Sequence, residues 1–229
     1  MNDLYHEYSR PESYLESIID QRESTAALKN GAYWFMDQIY GWCSHSKASI
    51  LIDIINRKQA TTIVEIGVWG GKSLIPMAHA LKTLGKGKIY GIDPWNNHES
   101  IVGVMDHANI NYWSRVDHEA VFQTLLYNID RFGLEDQVEL IRDTSANADP
   151  IPDIDLLHID GNHSNGASYL DVTKWVPLVK PGGWIVVDDI NWHEFGKFTQ
   201  AESVKWLDEH CHRMGDITDV CVWGIWVKP

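Results

Sequence analysis

From residue 61 onward, short β-branched runs alternate with longer helical stretches, and no other feature restricts the fold of this chain as strongly. The runs are TTIVEIG (61–67), KIYGID (88–93), VELIRD (138–143), DIDLLHID (153–160) and WIVVDD (184–189), and each ends on an acid or a glycine. Between and after them, residues 73–84, 118–132, 166–179 and 201–212 carry helical patterns. Strand and helix in strict alternation specify a parallel sheet with helices on both faces, because each parallel crossover needs a helix to return the chain. The expected fold class is therefore α/β, doubly wound and mostly parallel. The closing stretch ITDVCVWGIWVK (217–228) has no following helix and reads as a terminal antiparallel strand or hairpin.

Upstream of this alternation, residues 1–58 read as an N-terminal helical cap, with the main domain spanning 59–229. Tyr14, Leu15, Ile18 and Ile19 fit one helical face, residues 48–55 (ASILIDII) fit a buried helix, and an aromatic stretch (31–43) lies between Gly31 and Gly41. Residues 94–117 are too long for a plain connection and carry Trp95, His98, His107 and Trp113. That segment reads either as a lid over a site or as a surface insertion.

The composition excludes several partners. With 19 basic and 32 acidic side chains the net charge is −13, which weighs against tracking nucleic-acid phosphates. No run approaches the ~18 to 20 apolar residues of a membrane helix. The start lacks a basic segment followed by an apolar one, so no secretory signal is expected. Cys43, Cys211 and Cys221 form no framework and fit a reducing cytoplasm. Eleven Trp stand out. Trp175, Trp184, Trp206, Trp223 and Trp226 fall on expected helices or strands and read as core, while Trp34 and Trp42 belong to the cap. Trp69, Trp95, Trp113 and Trp192 follow functional turns or the insertion, where they read as pocket walls or as core.

In an open parallel sheet, ligands bind beyond the carboxyl ends of the strands. The first strand ends in EIGVWGGKS (65–73), which has three readings. A phosphate loop lacks its first glycine, because Ile66 stands there; a nicotinamide fingerprint lacks its second, because Trp69 stands there. An E-x-G-x-x-x-G-x-S loop fits at every fixed position. The second strand ends in GIDPW (91–95), and Asp93 follows Gly67 by 26 residues, suiting a ribose acceptor or a turn before proline. The third ends in RDTS (142–145), where Asp143 and Ser145 read as adenine contacts or as a helix cap. The fourth and fifth end in HIDGNH (158–163) and VVDDIN (186–191). Adjacent strands lie about 5 Å apart, so Asp160, Asp188 and Asp189 converge at one edge. Three carboxylates repel unless a cation joins them, and hard oxygens suit Mg²⁺, Mn²⁺ or Ca²⁺. The alternative is that they cap loops. His163 is the candidate base beside the cluster, and His193 is its rival.

Together these five motifs resemble the class I S-adenosylmethionine-dependent methyltransferases. The likeness is greatest to metal-dependent small-molecule O-methyltransferases, namely the macrocin and mycinamicin sugar O-methyltransferase and cephalosporin-hydroxylase-like group and the catechol O-methyltransferase group. It covers about residues 60–229. The resemblance implies a Rossmann-like seven-stranded sheet with an antiparallel C-terminal strand. It implies cofactor contacts at Glu65, Gly67, Ser73, Asp93 and Ser145, to which position adds Trp69, Gly71, Trp95 and Asp143. It implies a divalent metal, Mg²⁺ foremost, at Asp160, Asp188 and Asp189, with Asp160 and His163 as the catalytic pair. In the catechol group a lysine stands where His163 is; in some sugar enzymes the base is an Asp where this chain has Asn162. The function expected is metal-dependent O-methylation of a small-molecule hydroxyl (sugar, polyketide or catechol-like), in a cytoplasmic enzyme or homodimer. The alternatives are a non-catalytic cofactor-binding module and a methyltransferase acting on nitrogen or a macromolecule.

Overall fold

The computed structural model describes residues 26–103, 106–219 and 221–229. The helical face expected at residues 14–19 lies outside them. Among the described residues two helices come first, α1 (Ala26–Met36) and α2 (His45–Lys58). Then follow β1 (Thr62–Ile66), α3 (Leu74–Leu84) and β2 (Lys88–Ile92). The insertion forms two short helices, α4 (Asn97–Ile101) and α5 (His107–Trp113), before α6 (His118–Arg131) and β3 (Val138–Ile141). The chain continues through β4 (Ile154–Ile159), α7 (Asn165–Trp175), β5 (Val179–Val187), a small hairpin of β6 (His193–Glu194) and β7 (Lys197–Phe198), and α8 (Ala201–His210). It closes with β8 (His212–Thr218) and β9 (Val222–Val227).

Seven strands form one sheet in the order β3-β2-β1-β4-β5-β9-β8. The first five are parallel, β9 runs antiparallel to β5, and β8 runs antiparallel to β9. This is the expected Rossmann-like doubly wound sheet. Strand order reverses at β1 and β4, and the crevice for ligands opens at that switch point. The strand ends are knitted together there: Asp160 N donates to Ile66 O and Asp188 N to Ile159 O.

Apolar side chains cover both faces. On one, Ile50, Leu51, Ile54 and Ile55 of α2 join Ile63, Leu74, Met77, Trp184 and Trp223 in a single cluster. On the other, Val172 and Trp175 of α7 pack with Leu157, Val187 and Trp226. The N-terminal helices thus share the core of the sheet. Ser44 caps α2 by accepting from Lys47 N, and Gln59 ends it with a left-handed φ of 53°. Among the described residues no helix is long and apolar enough to cross a membrane.

Two expected boundaries move. The 166–179 helix ends at Trp175 with a 3₁₀ turn through Val176–Leu178, because Pro177 cannot donate to the ladder. The 201–212 helix stops at His210, where Cys211 turns extended, and β8 begins at once. A register shift between Arg213 and Gly215 breaks the period-2 pattern, which hides β8 from a reading by alternation.

Candidate functional site

The glycine loop follows β1 at the switch point. Gly67 has φ +84°, and a Cβ there would lie 2.1 Å from Asp160 O, so the loop can pass its neighbour strand only as glycine. Gly71 likewise has φ +81°, with Leu125 in the space of a side chain. Ser73 precedes α3 but caps nothing; its hydroxyl donates to Glu65 Oε1. Glu65 is fully buried and also accepts from His158 Nδ1 at 2.8 Å, its partner in register on β4. Two buried atoms at this loop have no hydrogen-bond partner, Glu65 Oε2 and Trp69 Nε1.

Asp93 follows β2 and holds the loop. Its Oδ2 accepts from Val68 N and Trp69 N (3.1 and 2.9 Å), and its Oδ1 from Trp95 N (2.7 Å). Burial raises its carboxyl above the usual range, although these three donors pull the other way. Both lone pairs of Oδ2 are thus used, and Oδ1 keeps one for a hydroxyl. Trp95 is not a pocket wall. It is buried against Phe122, and its indole N–H donates to Trp69 O. At the end of β3, Asp143 Oδ1 accepts from Thr144 N and Asn147 Nδ2 and so closes its own turn. Ser145 Oγ donates to the buried Asp171, whose carboxyl burial raises to about 7.

The carboxylates of Asp160, Asp188 and Asp189 do converge at the ends of β4 and β5. Two groups have ligand atoms within 4.8 Å of one another: His158, Asp160 and Asp188, and Asp160, His163 and Asp189. A buried ammonium already reaches the first group. Lys47 Nζ donates to Asp188 Oδ2, and to Asp160 Oδ2 at 3.3 Å. Burial would lower the Lys47 pKa, but Asp160 and Asp188 hold it well above its ordinary value. Burial and the Asp160 charge push Asp188 up to about 7. Behind it, Asp188 Oδ1 and His158 Nε2 have no hydrogen-bond partner and stand 4.0 Å apart.

His163 Nε2 bonds Asp189 Oδ2 at 3.1 Å, and its ring leans on Trp192. Burial lowers its pKa, but the Asp189 carboxylate, together with Asp160 and Asp188, more than offsets this and the net shift is upward. Gln200 donates to the carbonyls of Asp188 and Asp189 (both 2.9 Å) and lies 3.2 Å from His163 Nδ1, which ties the loop after β5 to the cluster. Asp189 then opens onto a cleft of about 370 Å³ lined also by Asp106, Asn109, Asn191, Trp192, His193 and Cys221. Burial, with Asp188 and Asp189 nearby, pushes the Cys221 thiol to about 12, so it stays protonated and is no nucleophile. An aromatic cluster gathers on Trp69 of the glycine loop. Trp42 stacks on Trp69 (4.8 Å), and Tyr40, Tyr112 and Trp113 pack around this pair.

Sequence reasoning missed Lys47, His158, Gln200, Trp42 and Tyr112. His158 had a signal, since on a strand it stands two residues before Asp160 and so shares its face. Lys47 had none, because nothing in a helix period says what lies across the sheet edge.

The hydroxyl-, acid- and glycine-bearing strand ends coincide with a family match. Residues 64–190 match the model described as "Methyltransferase domain". A protein of Acanthamoeba polyphaga mimivirus, the uncharacterised R132, is 29% identical over 169 residues, covering 73% of this chain and 69% of the viral one. Among solved structures, the O-methyltransferase TomG of Streptomyces achromogenes, in complex with S-adenosylmethionine, superposes with a TM-score of 0.58 and 17% identity, covering 82% of this chain and 81% of its own. An O-methyltransferase of Bacillus cereus in complex with S-adenosylhomocysteine superposes with a TM-score of 0.57 and 16% identity, over 95% and 91% of the two chains.

Proposed function

Because this chain belongs to the methyltransferase-domain family and is an S-adenosylmethionine-dependent methyltransferase, we propose that it methylates a hydroxyl oxygen of a small molecule with the help of a divalent cation. The acceptor class we propose is a sugar, polyketide or catechol-like compound, and the nearest subgroup the metal-dependent small-molecule O-methyltransferases. The observation that carries this reading is the carboxylate cluster of Asp160, Asp188 and Asp189 opening through Asp189 onto a cleft bounded by the insertion. A small acceptor suits the cleft volume, and the fold shared with the O-methyltransferases named above supports oxygen as the acceptor atom.

The residues present fit both groups. Glu65, Gly67, Trp69, Gly71, Ser73, Asp93, Trp95, Asp143 and Ser145 would hold the cofactor. Among them Gly67 lets the loop pass close to Asp160, Glu65 Oε2 and Trp69 Nε1 are unsatisfied, and Asp93 Oδ1 keeps a lone pair for a hydroxyl. Trp95 and Ser145 act through the backbone and through Asp171 rather than by a free side chain. Asp160, Asp188 and Asp189 are the candidate ligands of a hard cation, Mg²⁺, Mn²⁺ or Ca²⁺, and their summed charge exceeds what Lys47 alone can balance. Such an ion supplies charge stabilisation for a hydroxyl losing its proton.

This chain's own residues then do three things. The cleft walls, from Asn109 to Trp192, orient the acceptor and exclude water. Asp189 fixes the His163 ring through Nε2, which leaves Nδ1 to accept the proton once the Gln200 contact is given up. The aromatic faces of Trp69 and Trp42 suit a cationic cofactor. His193 lines the cleft and is the alternative proton acceptor. Three free thiols support a reducing compartment such as the cytoplasm.

Methyl transfer to hydroxyl-bearing acceptors should collapse in chelator and return with Mg²⁺. Undiminished turnover of Asp160→Ala in chelator would remove the metal from the reading. Comparison of His163→Ala with His193→Ala across pH identifies the base.

A further inference from the structure

The N-terminal helix α2 brings one side chain into the carboxylate cluster, and its position is costly on every other account. Lys47 stands three residues after the Ser44 cap, in the first turn of α2, where the helix dipole disfavours a cation. Its side chain is almost wholly buried, and among the described residues the ammonium reaches two acceptors, Asp188 Oδ2 and Asp160 Oδ2. The helix that carries it is locked. Ser44 accepts from Lys47 N and donates to Asp219, while Ile50, Leu51, Ile54 and Ile55 are seated in the core. A buried charge is retained only where paired charges and hydrogen bonds offset its desolvation. The pairing partners here are two of the three acids expected to hold a metal.

We infer that Lys47 is a resident cation of this cluster: its ammonium takes the inner seat between Asp160 and Asp188 and confines a divalent ion to the outer oxygens of Asp160 and Asp189. The assignment rests on the metal-dependent reading above and divides the labour among its acids. Asp188 is the counter-charge of Lys47. Asp160 bridges the two cations. Asp189, which alone of the three lines the cleft, faces the acceptor. Across the 4.0 Å between Asp188 Oδ1 and His158 Nε2, the inner seat faces a second buried polar chain that runs from His158 through Glu65 to Ser73 at the glycine loop.

Mn²⁺ binding to the full-length protein, read by electron paramagnetic resonance without any turnover, tests this. Asp189→Asn should weaken Mn²⁺ binding by roughly tenfold or more, whereas Asp188→Asn should change it by less than about threefold. Lys47→Met should tighten it by roughly tenfold, because the competing cation is gone; Lys47→Gln serves if the Met variant does not fold. Equal losses in Asp188→Asn and Asp189→Asn, or an unchanged affinity without Lys47, overturn the assignment. If the parent protein binds no Mn²⁺ and turns over in chelator, the metal-dependent reading fails by itself. Lys47 is then judged by whether its removal creates a Mn²⁺ site: a new site upholds the assignment, and none overturns it.

Discussion

Asp171 shows how one buried acid ties the two halves of the site together. It accepts from Ser145 at the end of β3 and lies on α7, next to the loop that carries His163. Burial raises its carboxyl from the ordinary 3.8 to about 7. The unfolded chain therefore loses this proton near pH 4 while the native protein keeps it until near pH 7. Stability from this group is complete below the lower value and is lost as pH rises through the higher one, by up to about 4 kcal/mol. Asp171→Asn should melt at a temperature that gains on the parent as pH goes from 5 to 8. A melting difference that stays constant over that range would show that Asp171 is ionised throughout. Both partners were visible in the sequence only as separate letters, RDTS and SNGASYLD; burial, which sets the titration, comes from packing.

At the scale of the element, the turn after β1 does most to shape the site. Gly67 and Gly182 both have positive φ, at +84° and +73°, but only Gly67 is crowded, by Asp160 O, whereas Gly182 faces open space. Gly182→Ala should cost about 1 kcal/mol, the backbone penalty alone. Gly67→Ala adds a backbone clash, for a total of about 2 to 4 kcal/mol in urea midpoints, and displaces the loop from Asp160. Equal losses at the two positions would mean that the close approach carries no weight. The glycine spacing was legible because a tight strand-to-helix turn admits few residues. The two-residue turn between β6 and β7 was not, since Phe195 takes φ +49° next to Gly196 where an Asn or Asp would have signalled it. The hidden strand β8 has the same explanation: a bulge removed its period.

In the whole molecule, α2, the insertion and the carboxyl ends of β4 and β5 meet around the carboxylate cluster and its cleft. Ligands that bind only this assembled state stabilise it by mass action. S-adenosylmethionine at about 100 times its dissociation constant should add about 2.7 kcal/mol, or roughly 5 to 10 °C in melting temperature for a chain of this size. Mn²⁺ should add a further, separate increment that Asp189→Asn removes. No shift with the cofactor at millimolar concentration would mean that the glycine loop and Asp93 do not form its site. The alternation of strand and helix and the acids at the strand ends were determined by the sequence itself, because local period and turn chemistry act over a few residues, whereas the switch point came with the strand order of the folded sheet. Only the tertiary structure decided that Lys47 pairs with an acid 141 residues away, that Trp42 stacks on Trp69, and that Asp189 rather than Asp188 faces the cleft. Those contacts join segments with no shared period, and what selects them is the packing of α2 into the core and the desolvation of a charge that has nowhere else to be paired.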